Sequence, residues 1–337
     1  MKLLDGSTFI KRAAAALALA AATYALGAQA QNVVLYSSNN PEAMANAAML
    51  LKKKNAKANV QQVTGGTGTL MKRIQAESAN PGGDIFWSGG VGTLAAFTQL
   101  MEPYNSPEAK AIAPQFLGPK AGAGNAFVGT NVHVMVLMVN NKQLKGLPAP
   151  KTWSDLMKPE WKGKFVITDP ARSGTAFIQV YGLLKQFGRE GLEKIARNAV
   201  VVQSSGAVFK SVAAGEYPVG ITIESSAYEF VVGGQKEINL VYPAEGTYLG
   251  TEGMFIIKNA KNMALAKEFF DVLLSKQAQE LLLAENFRRP TRSDIAVSKL
   301  TKLPDLAGLK IFPLNLQVAA DEYEQLIALW NLALPKK

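Results

Sequence analysis

Residues 63–74 have the sequence Val63-Thr64-Gly65-Gly66-Thr67-Gly68-Thr69-Leu70-Met71-Lys72-Arg73-Ile74, which predicts a strand end, a glycine-rich turn and an amphipathic helix. Glycines allow backbone conformations closed to other residues and let N–H groups approach a guest. Thr67 or Thr69 can cap the helix, whose free N–H groups and positive dipole end suit an anion. The stretch lacks the Lys-Ser/Thr of a P-loop, and Met71 occupies the third glycine position of the dinucleotide fingerprint. It therefore indicates either an anion site or an ordinary strand-to-helix turn.

The same order of apolar strand, polar turn and helix recurs along the chain. Strands that end in such turns are predicted at 32–36, 59–63, 84–87, 165–168, 200–202 and 219–223. This alternation predicts a parallel sheet covered by helices, in which ligands bind beyond the carboxyl ends of the strands. The turns supply hydroxyl groups and backbone N–H groups from Ser37, Ser38, Gly66, Thr67, Gly68, Ser88, Ser173, Gly174 and Thr175.

Three further polar residues near these turns could either bind a ligand or have a structural role. Arg172 can donate a two-pronged hydrogen bond to phosphate or carboxylate, or it can lie on the surface. Glu224 ends a strand, where it can accept hydrogen bonds from hydroxyls or an amine, or can act as a helix-start charge. His133, the single histidine, lies within an apolar strand, which is more typical of a structural residue than of a ligand.

The first thirty residues have the pattern of a secretory signal peptide. Basic residues precede an apolar run at 13–22, and Ala28-Gln29-Ala30 is a small-x-small cleavage signal. Cleavage after Ala30 would leave an exported chain of 307 of the 337 residues, enough for two lobes, and would lower the formal charge from +10 to +8. A retained anchor is the alternative, although the apolar run is short for a membrane span. With no cysteine in the sequence, disulfides, thiolate nucleophiles and a lipidated N-terminal cysteine are excluded.

Longer segments predict how the lobes connect. Residues 127–140 form a long β-branched strand that could carry the chain into a second lobe, and 251–257 could return it. Residues 262–283 and 319–334 are amphipathic and are each predicted to be a helix. The lysines are scattered rather than interleaved with aromatic residues, so no nucleic-acid partner is predicted, whereas a basic surface suits anionic solutes.

Several short motifs carry a family resemblance over nearly the whole chain after residue 30. They are Leu35-Tyr36-Ser37-Ser38, Asp84-Ile85-Phe86-Trp87-Ser88, Lys162-Gly163-Lys164, Asp169-Pro170 with Ser173-Gly174-Thr175, Val219-Gly220-Ile221 with Glu224, and Tyr242-Pro243 with Glu245-Gly246-Thr247. With these motifs the chain resembles the periplasmic solute-binding proteins of ABC importers, in the branch of ferric-iron, hexose-phosphate and 2-aminoethylphosphonate binders.

The resemblance implies an α/β fold of the type II periplasmic-binding kind. Two lobes, each a mainly parallel sheet flanked by helices, are joined by two crossing strands at 127–140 and 247–257, and ligand is held in the cleft. Residues 31–130 and 250–337 are assigned to lobe 1, and residues 131–249 to lobe 2. The resemblance also implies a monomer without catalysis or cofactor, which delivers its solute to the permease and ATPase subunits of an importer.

The resemblance leaves the ligand open, so the residues of the turns must indicate it. Ferric binders of this branch usually have adjacent tyrosines near the position of Ala227-Tyr228, and this chain has no tyrosine pair there. The hydroxyl and N–H groups instead suit a small phosphate or phosphonate anion, with Glu224 at its organic end. The predicted ligand-binding residues are Ser37, Ser38, Gly66, Thr67, Gly68, Ser88, Arg172, Ser173, Gly174, Thr175, Glu224 and Tyr228.

Two alternatives stay open. A ferric site could form from Tyr228, Glu224 and Tyr242. An exported phosphoester hydrolase is the second alternative, although the sequence has neither a carboxylate-histidine cluster for a catalytic metal nor a G-x-S-x-G nucleophile turn.

Overall fold

The computed structural model describes residues 31–90, 94–122 and 124–335. The predicted signal peptide and its cleavage site, residues 1–30, lie outside the described residues. The strands of the described part are β1 (Gln31–Ser37), β2 (Ala58–Thr64), β3 (Ile85–Gly90), β4 (Met101–Glu102), β5 (Lys120–Ala121), β6 (Gly124–Asn125), β7 (Val128–Asn140), β8 (Phe165–Thr168), β9 (Ala199–Val202), β10 (Val219–Ile223), β11 (Ile238–Val241), β12 (Leu249–Ile257) and β13 (Arg289–Pro290). Its α-helices are α1 (Pro41–Lys54), α2 (Thr67–Ala76), α3 (Gly174–Asn198), α4 (Ser205–Ala213), α5 (Glu224–Val232), α6 (Met263–Leu274), α7 (Lys276–Asn286), α8 (Leu316–Asp321) and α9 (Tyr323–Ala333). None of the helices within these ranges is long and apolar enough to cross a membrane.

The main strands form a mixed sheet with the order β2-β1-β3-β12-β7-β10-β8-β9. At one end β1 pairs in parallel with β2 and β3, and at the other end β8 pairs in parallel with β9 and β10. Between them β12 and β7 pair antiparallel with each other and with the strands beside them. Each half of the sheet is therefore parallel at its outer strands, as predicted, and antiparallel beside the junction.

The long strand predicted at 127–140 is confirmed as β7. Its first part, from Val128 to Val134, pairs with β12, and its second part, from Met135 to Asn140, pairs with β10 and β11. All of its residues are buried. One continuous strand thus runs from the first half into the second and places His133, at its middle, at the junction.

Each half packs around its own apolar core. In the first half, helices α1, α6 and α7 cover β1 and β3, with Leu35, Trp87 and Phe269 fully buried. In the second half, Trp153, Phe177 and neighbouring apolar residues fill the space under β7, β8 and β10. Each half of the sheet thus has its own buried apolar core.

The two C-terminal helical segments differ from their predictions. The helix predicted at 262–283 is two helices, because Ser275 adopts an extended conformation and its hydroxyl caps α7 by accepting a hydrogen bond from the Ala278 N–H. The helix predicted at 319–334 is likewise divided into α8 and α9. Helix α9 buries Leu326 and Trp330 in the core of the second half, although residues 250–337 were assigned to lobe 1. The remaining lobe boundaries stay a prediction.

Candidate ligand-binding site

A cavity of about 610 Å³ lies between the two halves. Its lining comes from the turns after β1 and β2 in the first half and from the starts of α3, α4 and α5 in the second. The carboxyl ends of the outer parallel strands meet at this cavity, as the alternation of strands and helices predicts. Pockets for organic ligands have volumes of roughly 300–1,000 Å³, so this cavity has room for more than a bare phosphate.

Hydroxyl groups form a connected cluster on the wall of the first half. Ser38 and Thr67 line the cavity, and both side chains hydrogen-bond to the buried hydroxyl of Ser88 behind them, at 3.1 Å from Thr67. The neighbouring Ser37 hydroxyl is turned inward, where it donates to the Trp87 carbonyl at 2.6 Å. Ser88 therefore positions the two lining hydroxyls, and Ser37 stabilises the turn.

A second cluster of hydroxyls belongs to the second half. Ser173 and Thr175, at the start of α3, lie 2.9 Å apart, and Ser205, at the start of α4, is 2.7 Å from Ser173. Ser173 caps α3 by accepting a hydrogen bond from the Ala176 N–H, and all three hydroxyls line the cavity. Each hydroxyl can rotate to donate to a ligand oxygen, since its hydrogen is not fixed.

Among the described residues, five helices begin at the cavity. The lining includes Pro41 of α1, Thr67 of α2, Thr175 of α3, Ser205 of α4 and Ser225 of α5. The first N–H groups of a helix have no partner within the helix, and the dipole adds positive potential at that end. The ends of five helices around one cavity therefore favour an anionic guest without requiring a dedicated cation.

The base of the cavity carries a buried ion pair. Arg288 donates to Glu252 at 2.7 Å, with side chains 9% and 3% exposed respectively, and its guanidinium lies 5.7 Å from the centre of the Trp87 ring. Burial raises the pKa of Glu252, while the Arg288 charge opposes that shift. Arg288 also approaches the Asn40 side-chain oxygen at 3.4 Å. Most of the Arg288 charge is thus compensated within the protein.

The two halves touch at the rim of the cavity. The amide of Asn40 in the first half donates to the Glu229 carboxylate of α5 at 3.2 Å. Gly66 and Gly68 lie very close to the backbone of the second half. A β-carbon on Gly68 would lie 2.2 Å from the Ala171 carbonyl oxygen, and one on Gly66 would lie 2.6 Å from the Arg172 carbonyl oxygen. The arrangement is therefore closed, with backbone packed against backbone across the cleft.

The predicted site residues fall into three groups by position. Ser38, Gly66, Thr67, Arg172, Ser173 and Thr175 line the cavity. Ser37, Gly68, Ser88 and Gly174 lie directly behind the lining, where Ser88 contacts two lining hydroxyls, Gly68 contacts the opposite half and Gly174 opens helix α3. Glu224 and Tyr228 lie elsewhere.

Glu224 and Tyr228, two of the predicted ligand-binding residues, make their contacts away from the cavity lining. Both Glu224 oxygens accept hydrogen bonds from Arg289, at 2.7 and 3.0 Å, and one also accepts from the Tyr242 hydroxyl at 2.6 Å. Glu224 is 2% exposed and is not among the lining residues. The Tyr228 ring packs edge-on against Phe287 at 4.9 Å between ring centres. Neither residue is among those that line the cavity.

Other lining residues were missing from the prediction. They include Asn40, His133, Ser204, Ser205, Ser225, Ser226, Glu229, Glu252 and Arg288. The turn at Ser204-Ser205-Gly206 follows a strand and opens a helix, so the signal that selected Ser173 also applies to it. Arg288 and Glu252 come from distant parts of the chain and have no local pattern that would indicate a site.

A family model places the chain among known proteins. The model described as "Bacterial extracellular solute-binding protein" matches residues 79–313. The chain belongs to this family.

Individual relatives agree with this membership and differ in what they bind. A protein of Haemophilus influenzae described as uncharacterised is 33% identical over 233 residues, covering 65% of this chain and 66% of that protein. The Fe(3+)-binding periplasmic protein of Serratia marcescens is 24% identical over 307 residues, 85% of this chain and 88% of its own length. The periplasmic binding protein AfuA from Actinobacillus pleuropneumoniae, solved with exogenous fructose 6-phosphate, has 27% identity and a TM-score of 0.82, covering 90% of this chain and 98% of that one.

The comparisons confirm the predicted family and the α/β fold of type II periplasmic-binding proteins. The relatives are solute-binding proteins rather than enzymes, and they include both phosphorylated-solute and iron branches. The chemistry of the cavity in this solute-binding protein must therefore indicate which class of solute it takes.

Proposed function

We propose that this solute-binding protein captures a small organic phosphate or phosphonate in the cavity and delivers it to the permease and ATPase subunits of an ABC importer. The observation that carries the proposal is the pair of hydroxyl clusters, Ser38 with Thr67 and Ser173 with Thr175 and Ser205, at helix starts on opposite walls. A phosphoryl or phosphonyl group accepts hydrogen bonds on every oxygen, so one such group can satisfy donors from both walls.

The charges around the cavity support an anion with a polar organic part. The Arg172 side chain is half exposed, and within the described part of the chain its one ion-pair contact is with Asp169 at 3.8 Å, so its guanidinium can turn to a ligand oxygen. On the other side, Glu229 lines the cavity, and burial raises the pKa of its carboxyl group. A carboxylate beside an anion site is unfavourable unless the ligand also carries hydrogen-bond donors that it can accept.

Closure of the halves provides the signal in this proposal. A solute held by both walls stabilises the closed arrangement through contacts that an open form cannot make. The closed surface is what the permease would recognise. The same proposal includes export to the periplasm with cleavage after Ala30, a monomeric state, and binding without catalysis.

Ferric iron is the alternative ligand suggested by the relatives. The contacts and the pKa of the tyrosine side chains argue against it. The Tyr242 hydroxyl donates a hydrogen bond to Glu224, and burial together with that carboxylate raises the pKa of Tyr242. Iron binding through a phenolate needs the opposite shift. Glu224 is already neutralised by Arg289. The predicted group of Tyr228, Glu224 and Tyr242 therefore favours its present internal contacts over a metal ion.

The double variant Ser173→Ala with Thr175→Ala tests the proposed anion site. Hydrogen bonds to a charged group contribute roughly 1.5–3 kcal/mol each, so we expect at least about a tenfold loss of affinity for organophosphate ligands. Isothermal titration with glucose 6-phosphate, glycerol 3-phosphate and 2-aminoethylphosphonate measures the change. Ser293→Ala with Thr301→Ala, a matched pair outside the cavity, is the control. Equal affinities in the wild type and the Ser173/Thr175 variant would show that the anion binds elsewhere.

A further inference from the structure

Glu229 places a carboxylate inside a cavity whose other features favour anions. It lies on α5 in the second half, is partly buried, and lines the cavity. Its side chain accepts a hydrogen bond from the Asn40 amide of the first half at 3.2 Å, and within the described part of the chain it has no ion-pair partner. Where the halves meet, Asn40 therefore covers a carboxylate that it contacts only through a neutral donor.

The charged groups around Glu229 leave it largely uncompensated. Burial raises the pKa of its carboxyl group, the Arg288 charge lowers that pKa, and the Glu42 charge on α1 raises it again. The guanidinium of Arg288 is itself engaged by Glu252 at 2.7 Å. The other titratable side chains of the lining are Arg172, which pairs with Asp169, Lys210 of α4, and His133, whose pKa is lowered to about 3 by burial and the Arg288 charge. On α5 itself, Glu224 is paired with Arg289.

The position of Glu229 within α5 adds to the cost of its charge. Glu229 is in the last turn of the helix, where its backbone carbonyl accepts a hydrogen bond from the Gly233 N–H at 2.8 Å. The carboxyl end of a helix is the negative end of its dipole, which disfavours a carboxylate. A phosphate group in the same cavity brings further negative charge. A hydroxyl group of the solute could donate to the carboxylate but would leave its charge in place, whereas a proton removes it.

We propose that Glu229 takes up a proton from solvent when the solute binds, and that its carboxyl group then donates a hydrogen bond to the bound anion. The proton adds to one carboxylate oxygen, so the other oxygen can still accept from Asn40 while the new O–H faces a phosphate or phosphonate oxygen. This inference rests on the proposed anion site and adds the pH dependence of binding. Because the bound form holds the extra proton, affinity is highest at low pH and falls as the pH rises through the raised pKa of Glu229.

Isothermal titration in two buffers of different ionisation enthalpy counts the protons taken up per solute bound. Glycerol 3-phosphate, glucose 6-phosphate and inorganic phosphate are the ligands without a cation, and 2-aminoethylphosphonate is the ligand with one. Glu229→Gln keeps a donor and an acceptor but cannot gain a proton. Glu190→Gln is the matched control, since the Glu190 side chain is 83% exposed on α3.

We expect the wild type and Glu190→Gln to take up more protons at mildly acidic pH than Glu229→Gln does with the same cation-free ligand. Relative to Glu229→Gln, their affinity should fall by up to about tenfold for each unit of rising pH. The comparison cancels any proton that the phosphate group itself gains, because both proteins bind the same solute. Glu229→Ala should also lose the extra uptake, which provides a second variant if Glu229→Gln does not fold.

Three results would overturn the inference and leave the anion site intact. Equal uptake by the wild type and Glu229→Gln would place the proton on the solute. A loss of affinity in Glu229→Gln at every pH would show that the ionised carboxylate accepts hydrogen bonds from the solute. Binding of 2-aminoethylphosphonate alone would make its ammonium group the partner of Glu229. If the wild type binds none of the four ligands, both proposals are wrong.

Discussion

Gly68→Ala is expected to prevent closure on the ligand without weakening the fold. A β-carbon at position 68 would lie 2.2 Å from the Ala171 carbonyl oxygen of the opposite half, a separation that real contacts do not reach. The obstacle is backbone on a packed turn, so it cannot rotate away as a side chain would. Overpacking of this kind costs about 1–3 kcal/mol or more, so we expect affinity for the bound solute to fall by roughly tenfold to a hundredfold.

The fold itself should tolerate this substitution. Gly68 is the second residue of α2, and alanine is about 1 kcal/mol more favourable than glycine within a helix. If the halves open as we propose, the two turns separate, and the open form gains the helix preference without the cost of the clash. We therefore expect the ligand-free variant to melt at the same or a higher temperature than the wild type.

Small-angle scattering with and without a binding organophosphate measures closure directly. The wild type should become more compact on ligand addition, and Gly68→Ala should not. Gly308→Ala is the matched control, because a β-carbon there would meet no atom within 4 Å. Normal compaction and affinity in the Gly68 variant would mean that the contact between α2 and residue 171 is not part of the ligand-bound state.

Arg289→Met should give the largest loss of stability among single changes near the site. The Arg289 side chain is 1% exposed and Glu224 is 2% exposed, and the two form a two-pronged pair at 2.7 and 3.0 Å. Removing the guanidinium leaves a buried carboxylate with only the Tyr242 hydroxyl as a partner. Breaking a buried pair in this way costs about 3–5 kcal/mol.

Urea denaturation measures that loss, with Arg197→Met as the control. Arg197 pairs with Glu193 on the surface of α3, with its side chain 65% exposed, and such pairs contribute roughly 0.2–1 kcal/mol. Folded Arg289→Met protein should still bind solute, since neither Arg289 nor Glu224 lines the cavity. If the variant instead had normal stability but bound no solute, the result would indicate that Glu224 belongs to the ligand-binding site.

The sequence was sufficient for the fold because its signals are local. Apolar strands followed by polar turns and amphipathic helices predicted the order of elements, and the long apolar run predicted β7. Ser38, Thr67, Ser173 and Thr175 were found at the cavity because strand ends and helix starts in an α/β fold meet at one edge. Each of these residues is positioned by the few residues on either side of it.

The residues that were missed or misplaced depend on distant partners. Glu224 occupies a strand end like the true lining residues, yet Arg289, 65 positions later in the chain, binds its carboxylate. His133 has apolar neighbours in the sequence, which favour a structural role, and its place in the cavity lining follows only from the tertiary structure. Arg288, just before β13, meets Glu252 of β12 because β13 and β12 both pair with β7. Such pairings follow from tertiary structure and have no signature within a short window.

A thermal-shift screen of the mature protein tests the central proposal most directly. The panel contains glucose 6-phosphate, fructose 6-phosphate, glycerol 3-phosphate, 2-aminoethylphosphonate, inorganic phosphate, a polyamine, a dicarboxylate and ferric citrate. A ligand at one hundred times its dissociation constant stabilises the folded state by about 2.7 kcal/mol, which raises the melting temperature by several degrees. We predict such a rise with an organic phosphate or phosphonate and none with ferric citrate. A rise with iron alone, or with the polyamine alone, would contradict the assignment of the cavity to a phosphorylated or phosphonate anion.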